Sequence, residues 1–583
     1  MDSKKISNRK SIVQYAIIIL SIIGLLICSA VLFPQVRVMI MDFGEQVMQK
    51  KASTYDTWVN TLFTYAMGAI CFILFLDYCT LTKSGKELVS KVKQEIKDCL
   101  SEINFRSLLI PVIILFGVYF LGILTLIRAN FLYIDDTLRS VGGFRGWFVW
   151  SRYVSDLLSI LIHGDTNLTD ISPLPQLLAI LILSCSSVAL VYIIGNKKIT
   201  VVRLLASIPL GLSPYFLECL SYKFDAPYMA LSILASIVPF LFIARKKAFF
   251  FISVVSLLIM CMTYQAASGI YPLVAVILWF QDWNSKRKPV KEIWATLGIA
   301  FIAFAFSMML FRSFLMKGVD PDSYASASMH PLSQMLSGAF TNLKNYTLII
   351  YHDLGLIWKI GIAIVCIFFI IKSVKTSSPK KTLPLFISML VIGASFVLSC
   401  GVYLLLTTPI FYPRASLGFG IFLAILCIYV VSNYKKAAII AVLALNWCLF
   451  VFVFSYGNAL ADQDRYAKFR ITMLLHDLSD LYPKQNGETL FIQLQNSIGF
   501  APTIKNISKH YPVIERLVPE RLREVLYFDN IYYIGHYNFN KLVMNIPGYS
   551  ADDFTAMDLP VVKDSYYHTI KSDGSHILII LKH

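Results

Sequence analysis

Apolar windows of roughly 17 to 25 residues recur along most of this chain, and each is long enough to cross a hydrocarbon core of ~30 Å as a helix. The 583 residues are 57% hydrophobic and only 15% charged, which is typical of an integral membrane protein. We place thirteen windows, near residues 11–33, 58–80, 108–128, 174–194, 199–217, 227–244, 248–263, 267–281, 293–314, 354–372, 383–405, 415–432 and 437–456. The sequence therefore predicts a polytopic α-helical membrane protein with about thirteen transmembrane helices.

The basic residues indicate the topology. The net charge is +17, and most lysines and arginines cluster in alternate loops, which is the positive-inside pattern of membrane proteins and no sign of nucleic-acid binding. The clusters predicted to be cytoplasmic lie at residues 83–106, 197–198, 245–247, 286–288, 372–381 and 435–436. The other loops, including 129–173, 214–226, 315–353 and 406–414, are then extracytoplasmic. The first window is too long for the apolar part of a signal peptide, so we expect an uncleaved helix.

The last part of the chain has a different character. It contains two predicted strands at 488–493 and 576–581, a turn at 571–574 and a predicted helix at 514–525. We divide the chain into a two-helix extension with a basic cytoplasmic loop (1–104), a transmembrane core (105–457) and a small C-terminal α/β domain (458–583). Thirteen spans that start inside place this domain outside, whereas an even number would place it in the cytoplasm.

Two adjacent carboxylates, Asp135 and Asp136, follow directly after the third window. A charged group near lipid is costly unless it faces water or a partner, so this pair is a functional candidate. Adjacent side chains point in different directions, which suggests that one is a general base and the other organises a sugar or phosphate site. We favour Asp136 as the base. The alternative is that either carboxylate only pairs with Arg139 at helical spacing.

Cations lie in the same set of outer loops. Arg145 is in a Gly-rich turn, and Arg414 is the only strong charge in its outer loop, against the positive-inside trend. Arginine binds phosphate through two parallel N–H groups, so both are candidate phosphate ligands, together with Arg139 and Lys223. For Arg414 a lipid headgroup is the alternative partner.

The segment after the Gly-rich turn reads as a helix lying in the membrane interface, with its apolar residues at helical spacing. Trp147, Trp150 and Arg152 are predicted near headgroup depth. Arg152 and Asp156 are four residues apart, which favours a simple ion pair on one helical face.

The loop 214–226 holds a dense polar cluster whose members are Glu218, Tyr222, Lys223 and Asp225. Acidic side chains have no long stem with which to reach water, so Glu218 and Asp225 are predicted, with Tyr222, to line a sugar or acceptor site. Tyr264 and Gln265 lie at a tight outer hairpin. Gln265 would hydrogen-bond a sugar or, alternatively, the backbone of its own turn.

An acidic pair beside outer-loop cations suits glycosyl transfer from a polyprenyl phosphate. The phosphate leaves as a stabilised anion, so the reaction needs a carboxylate that takes the proton of the acceptor hydroxyl and cations that hold the phosphate. No metal site is predicted. The eleven cysteines are mostly single within apolar windows, and His163, His330 and His352 lack zinc-type spacing.

The arrangement resembles the GT-C glycosyltransferase superfamily, in which many helices carry an acidic pair in the first large outer loop. Four segments are similar to the phage-type, serotype-converting O-antigen glucosyltransferases, namely Tyr133–Asp136, Glu218–Asp225, Tyr264–Gln265 and Pro413–Arg414. The resemblance covers roughly residues 105–456. The chain departs from the family in its N-terminal extension and in Cys219 and Lys223, where Asn and Arg are expected.

The resemblance implies an inverting, metal-independent enzyme without a cofactor. It would move glucose from a polyprenyl (undecaprenyl) phosphate donor to a lipid-linked O-antigen acceptor of lipopolysaccharide, at the periplasmic face of the bacterial inner membrane. A partner synthase and a partner flippase would supply the donor.

Two alternatives follow from the residues. A lipid-linked saccharide transporter or flippase predicts charged groups at mid-membrane depth in several spans. An O-antigen polymerase or ligase predicts an arginine-rich outer loop in place of the aspartate pair.

Overall fold

The computed structural model describes residues 82–316, 328–377, 382–432, 435–479, 490–524 and 551–583, with shorter pieces between 70 and 80 and between 530 and 544. The predicted span 11–33 and most of the span 58–80 lie outside the described residues. The described chain is mainly helical and ends in a small sheet. Its helices are α1 Lys83–Glu102, α2 Phe105–Ala129, α3 Asp135–Gly142, α4 Tyr153–His163, α5 Leu174–Ile194, α6 Val201–Ala206, α7 Pro209–Leu212, α8 Pro214–Ser221, α9 Ala226–Ile237, α10 Lys246–Cys261, α11 Ile270–Asn284, α12 Val290–Leu310, α13 Met335–Asp353, α14 Leu356–Thr376, α15 Thr382–Ser399, α16 Gly418–Val431, α17 Lys436–Ser479, α18 Pro502–Ile507, α19 Ile514–Leu517 and α20 Ala551–Ala556.

Seven of the predicted windows correspond to helices that are long and apolar enough to cross a membrane, counted over the described residues. They are Phe105–Ala129, Leu174–Ile194, Val290–Leu315, Leu356–Thr376, Thr382–Ser399, Pro413–Val431 and Lys436–Ser479. The membrane-protein prediction agrees with these helices, but the number thirteen is not confirmed. The windows that fail are the four consecutive ones between residues 199 and 281.

The four exceptions are short or broken helices. Helix α10 has 16 residues and α11 has 15, and at 1.5 Å per residue each is about 22–24 Å long. The window 199–217 is split into α6, α7 and α8, and the two halves of this segment are bent by 62°. Pro209 and Pro214 are the first residues of α7 and α8. A proline inside a continuous helix removes a hydrogen bond and clashes with the preceding turn, so the break is expected.

The predicted cytoplasmic and extracytoplasmic loops meet in two separate groups. At one end of the bundle, Glu102 pairs with Lys197 at 3.0 Å and with Arg245 at 3.1 Å, which joins three of the basic loops. The loops that contain Asp136, Lys223 and Arg414 meet in the other group, as described below.

The last long helix joins the membrane part to the C-terminal sheet. Helix α17 has 44 residues and continues through position 457, where the sequence analysis places a domain boundary. Its last turns bury Ile471, Leu474 and Leu478 against the sheet. The strands are β1 Leu490–Gln495, β2 Leu542–Met544, β3 Val561–Asp564, β4 His568–Ser572 and β5 His576–Leu581, in the order β2-β1-β5-β4-β3. Strand β1 is parallel to β2 and β5, whereas β4 is antiparallel to β3 and β5.

The C-terminal segment contains both confirmed and wrong predictions. The predicted strand 576–581 is β5, and the predicted turn at 571–574 is displaced, because residues 571–572 end β4 and the connection to β5 lies at 573–575. The helix predicted over 514–525 is wrong in length because only Ile514–Leu517 is helical. Val518 is extended, Pro519 follows, and Leu522 has a φ of 48°. These backbone conformations end the helix early.

Helices α2 and α17 cross closely at Gly457. A Cβ added to Gly457 would lie 2.7 Å from the carbonyl carbon of Thr125, and the Thr125 hydroxyl donates to the Val453 carbonyl at 3.3 Å. Small residues at such crossings let membrane helices approach closely.

We expect Gly457→Ala to lower the thermal unfolding temperature in detergent, because overpacking of this kind costs about 1–3 kcal/mol. Gly298→Ala is the matched control, since a Cβ at Gly298 meets nothing within 4 Å. The close-packing argument fails if the two variants unfold at the same temperature.

Candidate active site

The acidic pair begins helix α3, directly after a strained residue. Ile134 has a φ of 40° and a ψ of −96°. A positive φ is a genuine outlier for a β-branched residue and costs on the order of 1–3 kcal/mol. Such strain persists only where the surrounding structure holds it, and it is concentrated at functional sites. The sharp turn at Ile134 places Asp135 and Asp136 on different sides of the segment.

Asp136 is fully buried and is held by backbone groups. Its Oδ2 accepts hydrogen bonds from the backbone N–H of Tyr133 at 2.9 Å and of Lys223 at 3.0 Å. Its Oδ1 has no hydrogen-bond partner. Burial disfavours the charged form and raises the pKa of Asp136 to about 7, although the two N–H groups act in the opposite direction. Asp135, in contrast, is exposed.

Arg139 pairs with Asp225, on the loop before α9, and not with either member of the acidic pair. The Trp147 indole N–H donates to the other oxygen of Asp225, and the Arg139 guanidinium lies over the Trp147 ring at 4.2 Å. Trp147 is only 1% exposed, so its ring is covered by other protein side chains. These three side chains fix α3 against the loop that contains Lys223.

Glu218 and Arg414 form a second buried pair. Glu218 accepts from the Arg414 backbone N–H at 2.6 Å and from its Nη1 at 2.5 Å. Glu218 lies in α8, the helix that follows the 62° bend, and is only 1% exposed. The Arg414 guanidinium is 5.3 Å from the centre of the Tyr222 ring and 4.7 Å from that of Tyr412.

Tyr222 connects this pair to the exposed aspartate. Its ring contacts the Tyr133 ring, with centroids 4.8 Å apart. Burial raises the pKa of the Tyr222 hydroxyl, and the charges of Arg414 and Asp135 also act on this pKa. Asp135, Tyr222 and Arg414 therefore share one electrostatic neighbourhood.

In the segment that follows the Gly-rich turn, the charged side chains form different ion pairs from those predicted. Asp156 lies 3.6 Å from Arg145, so the predicted Arg152–Asp156 ion pair is wrong. Arg152 has no salt bridge to any residue in the described part of the chain, and its guanidinium lies over the Tyr264 ring at 4.8 Å. Its buried Nε has no hydrogen-bond partner.

Tyr264 and Gln265 lie beside this segment. Tyr264 is buried, which raises the pKa of its hydroxyl, and both Arg414 and Arg152 lower that pKa. The two arginines are therefore neighbours of one tyrosine. Gln265 donates to the Trp150 carbonyl at 3.2 Å. Its amide group therefore bonds to a backbone carbonyl, but this carbonyl belongs to a different segment and not to the turn that contains Gln265.

Lys223 spans from the acidic pair to a third loop. Its Nζ contacts Asn130 Oδ1 at 2.6 Å and Asp170 Oδ2 at 3.0 Å. Each of the four cations that the sequence suggested as phosphate ligands thus has a carboxylate neighbour. The structure brings together all the predicted site segments, but as a network of ion pairs.

Sequence analysis missed the contribution of the C-terminal segment. Tyr133 donates its hydroxyl to the Leu517 carbonyl at 2.7 Å. Arg521 is 2% exposed, donates to the Leu132 carbonyl and lies over the Phe131 ring at 4.8 Å. The available signal was the density of charged residues over 515–524, which include three arginines at positions 516, 521 and 523.

A cavity of 370 Å³ lies between the acidic-pair loop and this segment. Tyr133, Ile134 and Glu218 line one side of it, and Arg516 and Arg523 line the other. Arg516 also forms an ion pair with Asp353 and donates to the Phe411 carbonyl. Within the described residues, no group of three or more His, Cys, Asp or Glu side chains is arranged to hold a metal ion.

Comparisons with known proteins show the family to which the chain belongs. Residues 124–431 match the family model of the glucosyl transferase GtrII, a range that includes every predicted site residue. The chain is also similar to an uncharacterized 55.3 kDa protein in the gtrB 5′ region of Salmonella phage P22, with 24% identity over 461 residues. That alignment covers 74% of this chain and 92% of the relative. No solved structure matches the chain.

The raised pKa of Asp136 predicts a pH-dependent stability. The folded-state pKa of about 7 lies above the ordinary 3.8, so the folded protein binds the proton more tightly than the unfolded chain between these values. The free energy of unfolding should therefore fall as the pH rises from about 4 to about 7.

Asp136→Asn removes this titration, so its unfolding temperature should gain relative to wild type as the pH rises through that window. Thermal unfolding in detergent at several pH values measures the difference. Asp165→Asn is a control because the pKa of that exposed carboxyl lies below 3.8. A constant offset between Asp136→Asn and wild type would contradict the assigned pKa.

Proposed function

Because the chain belongs to the GtrII glucosyl transferase family, we propose that it transfers glucose from a polyprenyl-phosphate donor to a lipid-linked O-antigen acceptor. The observation that carries the proposal is the exposed Asp135 carboxylate, which lies two residues after Tyr133. The Tyr133 ring contacts the Tyr222 ring, and the Arg414 guanidinium lies 5.3 Å from the centre of that second ring. A base beside a phosphate-binding cation is what this reaction requires.

Asp135 is the general base in this proposal, which reverses the preference drawn from the sequence. A base must reach the acceptor hydroxyl directly or through one water. Asp135 is exposed to solvent. Asp136 is fully buried and accepts two backbone N–H groups, so it cannot reach the acceptor hydroxyl. Asp136 acts as a positioning residue that holds Tyr133 and Lys223 around the base.

Arg152 and Arg414 bind the donor phosphate. The Arg152 guanidinium lies over the Tyr264 ring and has no salt bridge among the described residues, and the Arg414 guanidinium lies beside the Tyr222 ring. The Nη1 of Arg414 donates to Glu218, and this bond fixes the orientation of the guanidinium group. As glucose leaves, negative charge grows on the phosphate, and preorganised arginines stabilise that charge without further reorganisation.

The acceptor hydroxyl attacks the anomeric carbon while Asp135 takes its proton, and the bond from that carbon to the phosphate oxygen breaks. One displacement of this kind inverts the anomeric configuration. The C-terminal segment contacts Tyr133 and Leu132, so it would hold the acceptor side of the site. We place this face in the periplasm of the bacterial inner membrane, where a partner synthase and a flippase would deliver the donor.

Asp135→Asn should reduce glucosylation by about 10²–10⁴-fold, the usual contribution of a general base. Mass spectrometry of O-antigen from expressing cells measures the attached glucose. Asp165→Asn, an exposed carboxylate of the same loop, is the matched control and should keep full activity. If Asp135→Asn and Asp136→Asn both glucosylate fully, the acidic pair does not carry the reaction.

Arg152→Gln should raise the donor KM by about 10–100-fold, because one charged hydrogen-bond donor to phosphate is lost. The assay uses purified protein and polyprenyl-phosphoglucose in detergent. Arg106→Gln changes an exposed arginine at the start of α2 and should leave the KM unchanged. An unchanged donor KM in Arg152→Gln would refute this phosphate site.

A further inference from the structure

A second cavity, of 260 Å³, lies next to the acidic-pair loop but uses different residues from the 370 Å³ cavity. It is formed by the end of α2, the start of α5 and the segment Leu220–Lys223, and Leu460 of α17 completes it. Its lining includes apolar side chains, among them Phe131 and several leucines, and a polar part formed by Asn130, Gln176 and Lys223, which we call the polar wall. The proposed donor site uses none of this wall.

Gln176 lines the cavity with a side chain that makes no hydrogen bond to any other described residue. The residue is 6% exposed, and its Oε1 is enclosed by protein atoms. Its amide nitrogen is not enclosed in this way. Polar groups of buried residues are nearly always hydrogen-bonded, so a ligand oxygen in the cavity would accept from this amide nitrogen.

Lys223 makes the polar wall nearly neutral. Its ammonium group has three N–H donors, of which two are directed to Asn130 and Asp170. One donor is left for a ligand oxygen. The Asp170 carboxylate cancels the lysine charge and would repel a phosphate, so the wall favours an uncharged hydroxylated ligand.

We propose that this cavity binds one sugar unit of the acceptor glycan. This proposal rests on the proposed function, because only that function makes the bound sugar a part of the acceptor. A sugar ring has an apolar face that packs on Phe131 and hydroxyl groups that bond to Gln176 and Lys223. The cavity is smaller than the ~300–1,000 Å³ typical of pockets for drug-sized ligands, so it fits a single ring.

The position agrees with this assignment. The Lys223 backbone N–H donates to Asp136 Oδ2 at 3.0 Å, so the polar wall is tied directly to the acidic pair. The lining of the cavity includes neither Arg152 nor Arg414, so a ring held there does not occupy the proposed phosphate site. Changes at Gln176 would therefore alter acceptor recognition and leave the donor untouched.

The test measures saturation-transfer NMR of glucose, galactose, rhamnose and N-acetylglucosamine with the full-length protein in nanodiscs. At least one sugar should bind the wild type, and Gln176→Leu should weaken that binding by about fivefold, the value of one neutral hydrogen bond. Gln281→Leu is the matched control, because Gln281 is a buried glutamine of α11 that contacts the Ile194 carbonyl. Gln176→Met, which keeps the side-chain length, replaces the leucine variant if that variant does not fold.

Equal binding in wild type and the Gln176 variants, or no binding of any sugar to wild type, would overturn the proposal. In the transfer assay the acceptor KM should rise by about fivefold while the donor KM is unchanged. Sugar binding that depends on Gln176 without any glucose transfer would support the subsite and contradict the proposed function, so the two failures are distinguishable.

Discussion

The site depends on one buried carboxylate that joins two distant parts of the chain. Asp136 accepts the backbone N–H groups of Tyr133 and Lys223, which are 90 positions apart in the sequence. In a dry environment these bonds are strong, and an unpaired group would be costly. The strained Ile134 lies between Tyr133 and Asp136, so the same bonds hold its unusual backbone and direct Asp135 outward. The exposure of Asp135 is therefore a consequence of the buried carboxylate.

Around this link, charged side chains are satisfied in pairs. Arg139 with Asp225, Glu218 with Arg414, and Lys223 with Asp170 each connect two different loops. Buried ion pairs of this kind contribute little net stability, but removal of one partner strands the other charge. The pairs consequently fix how the loops meet, and they leave Arg152 as a cation without a salt bridge among the described residues. The paired arginines belong to a structural network, whereas Arg152 is the arginine that we propose for phosphate binding.

Part of the candidate site lies on a broken helix. Prolines divide the segment Val201–Ser221, and the bend delivers Glu218 to Arg414. Hydropathy alone reads the same segment as one more span, since an apolar composition is common to a crossing helix and a buried short one. Between residues 199 and 281 the thirteen-span prediction is therefore not confirmed.

The sequence by itself determined the class of protein, seven long helices, the grouping of the loops and the segments that form the site, because hydropathy, charge clusters and short motifs are local properties. The acidic pair and the stretch Glu218–Asp225 were found in this way. Only the tertiary structure decided which aspartate is exposed, which arginine lacks a carboxylate partner and that the segment around Leu517 and Arg521 covers the loop. These depend on side-chain directions and on contacts between residues up to 389 positions apart, which no local pattern encodes.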